Sequence, residues 1–259
     1  DVDGIIFATP HPDYSYPGNS SVIQSALGIP KRCITVDMPH ACTGMIYGFY
    51  LADLFIRAGD CKNVLVCCGD TSSHHLNPKD RAMRMVIGDG GAAALVTGSV
   101  PSQYAFHHDG DGLKYLYTPA SGERMPRERG VTDIPQTDAE ENVRTLEDEY
   151  MDGMEVMRFV MNEVPPRINE VLDKSGWTHS DVDVYALHQA NDFILKSLAR
   201  AMKLDKHKVL FDIDGTGNIG GASLVLALCH AAEAEHEPWE RAVLAGFGSG
   251  LSVAAMTTS

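Results

Sequence analysis

The chain has 259 residues, of which 44% are hydrophobic and 22% are charged, a composition that supports a folded core and excludes a disordered chain. This length fits one large domain or two smaller ones. The 21 basic and 35 acidic residues give a net charge of −14, which disfavours general nucleic-acid binding because phosphate backbones are also negative. The longest apolar run, residues 220–232, is shorter than the roughly 20 residues of a membrane-spanning helix, so we expect no membrane partner.

Six scattered cysteines without a CxxC pair, and a first segment that does not resemble a signal peptide, favour a reducing, cytoplasmic location. Apolar runs and helical spacing then predict the elements in chain order. Predicted strands cover 4–8, 32–37, 63–69, 91–97, 182–187, 208–212, 241–246 and 251–257. Predicted helices cover 20–28, 42–58, 150–174, 191–202 and 221–235. This alternation is typical of an α/β protein with a parallel or mixed sheet, and a weak repeat suggests two related α/β halves.

The stretch from His107 to Leu146 is polar and rich in glycine, proline and charge, which indicates an irregular connection. The predicted organisation is an N-terminal half (1–106), this connection (107–150) and a C-terminal half (151–259). In the helix at 150–174, methionines at helical spacing, Met154 among them, predict core packing. The Pro165-Pro166 pair predicts a kink or a break.

Several motifs around residue 215 suggest other chemistries but lack their partners. Gly215, Gly217 and Gly220 form a GxGxxG pattern, yet the next strand ends without an acidic residue for a ribose. Asp212 and Asp214 resemble the nucleophile motif of haloacid-dehalogenase-type phosphatases, but no lysine follows. A phosphatase or nucleotide-binding protein is therefore only a third hypothesis.

No metal site is predicted. A calcium loop that starts at Asp212 fails because Ser223 stands where a glutamate ligand is needed. The pairs His74-His75 and His107-His108 match no zinc-ligand spacing, which favours surface histidines.

Three residues fit a site for acyl chemistry. Cys42 lies in MPHACTGMIYG at the start of the predicted helix 42–58, where free N–H groups and the helix dipole favour the thiolate. His188 ends a buried strand in ALHQAN, and Asn218 lies in the glycine-rich GTGNIGGAS. Taken singly, each also fits a structural role: a buried cysteine, a core histidine and a turn or capping asparagine. Together they match a known arrangement of a nucleophilic cysteine with histidine and asparagine.

These segments resemble the signatures of β-ketoacyl-acyl-carrier-protein synthase III, a family of the thiolase superfamily. Three linking segments agree with the family in the same order, at residues 77–96, 151–172 and 245–255. The resemblance implies a thiolase-like fold of two related α/β halves, with mixed sheets and buried helices. Asn218 separates this chain from the elongating condensing enzymes, which have histidine there.

The resemblance also implies a mechanism. Cys42 takes an acyl group from acyl-CoA, and malonyl-acyl carrier protein then loses carbon dioxide and attacks the acyl-cysteine. His188 and Asn218 donate hydrogen bonds to the malonyl thioester oxygen, and the backbone N–H groups of Cys42 and Ser249 form the oxyanion hole. Acyl-CoA and malonyl-acyl carrier protein are substrates, and no cofactor is implied. This is the initiating condensation of fatty-acid synthesis.

Four further residues occupy family positions for substrate binding. Arg81 corresponds to an arginine at the CoA adenine, Asn191 borders the pantetheine tunnel, and Phe247 lies beside the cysteine. Tyr16 corresponds to an aromatic residue that reaches the partner's acyl pocket, so the resemblance implies a homodimer. In the patch for the carrier protein, Phe193 replaces an arginine. Basic residues remain nearby at Arg200, Lys203, Lys206 and Lys208.

The main departure from the family is at the start. Family members have roughly seventy residues before the segment that matches Asp1, and without them the first sheet would have unpaired edges. The alternatives to fatty-acid initiation are a secondary-metabolite condensing or acyl-transfer relative, and a non-catalytic truncated subunit that stabilises a partner.

Overall fold

The protein, analysed as a computed structural model, is described over residues 1–98, 102–235 and 239–259. The helices are α1 (Asn19–Ala26), α2 (Gly44–Ala58), α3 (Arg81–Arg84), α4 (Gly153–Ser175), α5 (Asp192–Ala201) and α6 (Ser223–Glu235). The longer strands are β1 (Gly4–Ala8), β2 (Ile34–Met38), β3 (Asn63–Asp70), β4 (Gly90–Thr97), β5 (Gln103–His108), β10 (Val184–Leu187), β11 (Ala242–Gly248) and β12 (Ser252–Thr258). Four short strands lie between β5 and α4, namely β6 (Leu116–Tyr117), β7 (Gln136–Thr137), β8 (Val143–Arg144) and β9 (Tyr150–Met151).

Two mixed sheets form the framework, which confirms the predicted fold class. The first sheet has the order β2-β1-β3-β4, in which β1 runs parallel to both neighbours and β4 is antiparallel to β3. The second has the order β10-β11-β12-β5, in which only β10 and β11 are parallel. In both sheets a parallel pair, β1-β3 and β10-β11, is followed by an antiparallel strand, which fits two related halves.

Helices separate and flank the sheets. One core cluster joins α2 and α6 to β1 and β3 on one side and to β10, β11 and β12 on the other, so these two helices are packed between the sheets. A second cluster packs α4 and α5 on the opposite face of the second sheet. Helix α1 packs against β1 and β2. The layers therefore alternate helix, sheet, helices, sheet, helices.

Two elements differ from the sequence prediction. Residues 208–212 do not form a strand: only Val209 makes a parallel bridge to Tyr185, and the Asp212 N–H then bonds to the Gln189 side chain rather than to a neighbouring strand. Strand β5 was not predicted. It crosses the predicted boundary at residue 106 and pairs with β12, so it belongs to the second sheet.

Helix α4 also corrects two expectations. It continues through Pro165 and Pro166 without a break, because Val164 and Ile168 on its inner face are fully buried and hold the helix against the second sheet. Met154 is 83% exposed, whereas Val156 in the same first turn is 6% exposed, so Met154 lies on the outer face of the helix. Packing against the sheet, rather than local propensity, determines this helix.

Helix α2 approaches β1 so closely that Gly44 is required at its start. A Cβ at Gly44 would lie 2.6 Å from the Cβ of Ala8, which belongs to the sheet and cannot move aside. We expect Gly44→Ala to lower the free energy of unfolding by about 1–3 kcal/mol through overpacking. Chemical denaturation measures this. Gly153→Ala is the matched control because its Cβ would have nothing within 4 Å. Equal stability of the two variants would contradict the close approach.

Candidate active site

The predicted catalytic residues follow strands or enter helices at one edge of the two sheets. Cys42 lies between β2 and α2, His188 follows β10 directly, and Asn218 lies in the loop before α6. The carboxyl ends of parallel strands are where α/β proteins form sites. The Asn218 backbone is fixed there by a bridge to Ile87, through Asn218 N–H to Val86 O (2.8 Å) and Gly88 N–H to Asn218 O (2.9 Å).

Cys42 is packed against the end of β11. A Cβ at Gly246 would lie 2.4 Å from the Cys42 carbonyl oxygen, and a Cβ at Gly248 would lie 2.6 Å from the Cys42 Sγ. Gly248 also has φ of 156°, in the region that favours glycine. The two glycines therefore allow β11 of the second half to touch the cysteine of the first half.

The thiol is not activated in the way that the sequence suggested. Burial, and then the Asp70 and Glu149 carboxylates, raise the pKa of Cys42 to about 12. The backbone N–H groups of Ser249 and Cys42 act on the pKa in the opposite direction, but they do not outweigh burial. Burial therefore favours the protonated thiol, opposite to the effect expected from the helix start, and activation of Cys42 stays a prediction. The same two N–H groups are those proposed for the oxyanion hole, and they are directed at the sulfur.

His188 is buried, and its ring is held on two sides. Nδ1 lies 2.9 Å from Ser223 Oγ, and the ring meets the Phe247 ring edge-on at 5.4 Å between centroids. Burial lowers the pKa of His188 to about 4, so the imidazole is neutral at physiological pH. Ser223 fixes the ring through Nδ1, so Nε2 is the ring nitrogen that remains available to bond a ligand.

The Asn218 amide has a defined orientation. Its Oδ1 accepts the N–H of Gly220 at 3.0 Å, so the NH₂ group is the part that remains available to a ligand. A hydrogen-bond donor is what a developing enolate oxygen requires.

A cavity of about 700 Å³ opens beside these residues. Cys42, Asn218 and Ser249 line it, whereas His188 is not among the described residues that line it and is buried against Phe247. Such a volume suits a ligand the size of an acyl chain with its carrier.

The four predicted substrate-binding residues are not among the described residues that line the cavity. Arg81 is exposed on α3, and Tyr16 is 87% exposed in the loop before α1. Asn191 caps α5 by accepting the Ile194 N–H at 2.8 Å. Phe247 is buried against His188. Their roles in binding remain predictions.

The sequence analysis missed a polar group in the cavity wall. His11 Nδ1 lies 2.7 Å from Asp70 Oδ1, and its Nε2 lies 3.2 Å from Glu149 Oε1. Ser72 donates to Asp70 at 2.9 Å and also contacts Glu149. We call these four residues the His11 cluster. Asp70 is the last residue of β3 and His11 lies shortly after the neighbouring strand β1, positions that could have drawn attention to them.

The rejected motifs have structural roles. Asp212 forms an ion pair with His230 at 2.9 Å. Gly215, Gly217 and Gly220 all have positive φ, as a tight loop requires.

Over the described ranges, no His, Cys, Asp and Glu side chains are grouped as metal ligands. Likewise, none of the described helices combines the length and apolarity needed to cross a membrane.

The fold and site together define a thiolase-like protein with a cysteine at the junction of its halves. The sequence model of 3-oxoacyl-[acyl-carrier-protein] synthase III matches residues 36–112, and that of its C-terminal domain matches 172–259. A β-ketoacyl-[acyl-carrier-protein] synthase III of Caldanaerobacter subterraneus subsp. tengcongensis is 36% identical over 236 residues, covering 89% of this chain and 68% of the relative. The chain belongs to the 3-oxoacyl-[acyl-carrier-protein] synthase III family.

Solved structures agree with this assignment. A 2.1 Å crystal structure of a 3-oxoacyl-(acyl-carrier-protein) synthase III superposes with a TM-score of 0.95 at 34% identity, covering 99% of this chain and 78% of the other. The priming β-ketosynthase of the R1128 polyketide biosynthetic pathway gives a TM-score of 0.87 at 26% identity, covering 99% and 74%.

The raised pKa of Cys42 predicts its reactivity towards iodoacetamide. Because the thiolate is the reacting form, we expect the alkylation rate to rise about tenfold per pH unit from pH 7 to 10, without a plateau. Site-resolved mass spectrometry measures the rate, and the exposed Cys229 in the same sample shows that the reagent is active. A plateau with its midpoint below pH 8 would show that the thiol is activated in the resting protein.

Proposed function

We propose that this protein catalyses the decarboxylating condensation of an acyl-CoA primer with malonyl-acyl carrier protein, the initiating step of fatty-acid synthesis. The observation that carries the proposal is the position of Cys42, with two backbone N–H groups on its sulfur, in a cavity that Asn218 also lines. Membership of the synthase III family supports the same activity.

The first step transfers the acyl group. The Cys42 sulfur forms a bond to the thioester carbonyl carbon, the bond to the CoA sulfur breaks, and the proton of the thiol ends on the departing CoA. During the attack, negative charge develops on the carbonyl oxygen. The N–H groups of Cys42 and Ser249 are placed to stabilise that oxyanion. They stabilise the transition state more than the neutral thiol, which is how catalysis arises.

The second step is the condensation. Malonyl-acyl carrier protein loses carbon dioxide, and the electron pair of the broken bond forms an enolate. The Asn218 NH₂ group and Nε2–H of neutral His188 donate to the enolate oxygen. Because Nδ1 is then an acceptor, the Ser223 hydroxyl, which otherwise donates to the Gly220 carbonyl at 2.8 Å, turns to Nδ1 at 2.9 Å. The enolate carbon attacks the acyl-cysteine, and the Cys42 sulfur leaves and regains a proton from solvent. No cofactor enters either step.

The proposed carriers are coenzyme A and acyl carrier protein. For the carrier protein, Phe193 presents an exposed aromatic ring (71%) at the start of α5. Arg200, Lys203 and Lys206 are nearby cations for the phosphopantetheine arm or acidic carrier surface. Lys208 contributes less, because its ammonium group donates to the Ser180 and Val182 carbonyls.

A cytoplasmic homodimer is part of this proposal. Tyr16 is exposed in the loop whose residues Asp13 and Ser15 line the cavity, so a partner subunit could bring its own Tyr16 to the same region. Light scattering of the purified chain tests the dimer. Fractionation of the source cell tests the location.

A secondary-metabolite condensing or acyl-transfer enzyme is the second candidate. The likeness to the priming β-ketosynthase of a polyketide pathway favours it, and the two candidates share the Cys42 chemistry. They differ in which acyl group is loaded. A non-catalytic subunit is a candidate of a different class, and co-purification of a full-length relative would support it.

Intact-protein mass spectrometry after incubation with acyl-CoA tests the nucleophile. We expect one acyl adduct on the wild-type chain and none on Cys42→Ala, because no other sulfur lies against the Ser249 N–H group. Cys67→Ala and Cys68→Ala are matched controls that should still load. Loading of Cys42→Ala would disprove the mechanism.

The two hydrogen-bond donors are tested in the condensation step. We expect His188→Ala and Asn218→Ala each to slow malonyl decarboxylation by about 10²–10³ while the Cys42 adduct still forms, since one lost oxyanion donor typically costs that much. Release of labelled carbon dioxide measures decarboxylation, and adduct mass measures loading. Equal loss of both would show that these residues do not act in condensation alone.

A further inference from the structure

The His11 cluster places charge in the wall of the cavity that holds the nucleophile. His11, Asp70, Ser72 and Glu149 all line that cavity together with Cys42. The side chains of Asp70 and His11 are only 6% and 12% exposed, and that of Glu149 is 16% exposed. An acyl group on Cys42 therefore shares an enclosed space with these polar atoms.

Two acceptor atoms of the cluster are not used within the protein. Asp70 Oδ1 and Glu149 Oε1 contact His11 and Ser72. Over the described residues, Asp70 Oδ2 and Glu149 Oε2 accept no hydrogen bond. Asp70 Oδ2 faces the Asn218 loop, since it would lie 3.0 Å from a Cβ at Gly220. Asp70 thus has a spare acceptor beside the Asn218 loop, and Glu149 has a second one within the residues that line the cavity.

The cluster carries one net negative charge. Burial opposes a charged His11, but the Asp70 and Glu149 carboxylates outweigh burial and raise its pKa to about 9. Protonated His11 then balances only one of the two carboxylates. His75 stacks on His11 at 3.8 Å and adds no charge, because burial and the neighbouring His11 lower its pKa. Arg127, at the cavity edge, lies 3.7 Å from Glu147 outside the cluster.

An unsubstituted alkyl chain fits such a wall poorly. It would displace water from the carboxylates without offering a hydrogen bond, and an unpaired buried polar group is costly. A hydroxyl group on the chain would donate to Asp70 Oδ2 or Glu149 Oε2 and remove that cost. We propose that the His11 cluster selects an acyl group that carries a hydroxyl, with Glu149 as the residue that determines specificity. This inference rests on the proposed function, since it takes the cavity to hold the acyl group.

The test compares loading rates of paired thioesters on Cys42. The probes are butyryl-CoA and its 3-hydroxy and 4-hydroxy derivatives, followed by intact mass. We expect the wild-type chain to load one hydroxybutyryl group at least about tenfold faster than butyryl, because sites built to bond a hydroxyl discriminate strongly against its absence. Glu149→Leu should reduce that ratio about tenfold or more.

Two variants separate specificity from folding. Glu149→Gln keeps the side-chain volume and should lower the ratio, so the inference stays testable if Glu149→Leu does not fold. Glu140→Leu makes the same exchange at an exposed position of the same connection and should keep the wild-type ratio. A wild-type preference for butyryl, or a ratio that folded Glu149 variants leave unchanged, would overturn the inference. No adduct from any thioester, acetyl-CoA included, would instead overturn the proposed function.

Discussion

Cys42 and the end of β11 lie so close that neither Gly246 nor Gly248 has room for a side chain. This contact joins the two halves at the proposed reaction site, because Cys42 lies in the connection after β2 of the first sheet and β11 belongs to the second sheet. It also brings the Ser249 N–H group to the Cys42 sulfur. The buried helices α2 and α6 keep the two sheets in place around this point. A displacement of either sheet would therefore separate the nucleophile from its oxyanion donors.

Much of this site was predictable from short segments. Cys42, His188 and Asn218 each lie in a local pattern of strand, turn and helix, and the structure places them at strand ends or a helix entrance at one edge of the sheets. The fold class followed in the same way, since alternating strands and helices leave few arrangements for a mixed sheet. The strand predicted at 208–212 is absent because an apolar run does not show whether a neighbouring strand is there to pair with. After the bridge at Val209, the Asp212 N–H bonds to the Gln189 side chain instead.

The rest depends on contacts between segments that are distant in the sequence. The helix start at Gly44 predicted an activated thiol, but burial and two carboxylates determine the pKa of Cys42. Asp70 comes from β3, and Glu149 comes from the irregular connection, where no periodic pattern marks it. Pro165 is a similar case, because the buried inner face of α4 outweighs a local helix breaker. Local sequence patterns predicted where these residues lie in the fold. The residues packed around them determine the pKa of Cys42 and the continuity of α4 at Pro165.

The Asp70 and Glu149 carboxylates affect both the pKa of the Cys42 thiol and the polarity of the cavity wall. Burial first, and then the carboxylates of Asp70 and Glu149, raise the pKa of Cys42 and disfavour a negative sulfur before a thioester carbonyl is bound. Once that carbonyl is bound, the N–H groups of Cys42 and Ser249 act on its oxygen, where negative charge develops during attack. The same carboxylates line the cavity that, in the proposed mechanism, holds the acyl chain of the thioester. In the proposed mechanism, control of the nucleophile and choice of the acyl group are therefore coupled, and we expect a change at Glu149 to alter both.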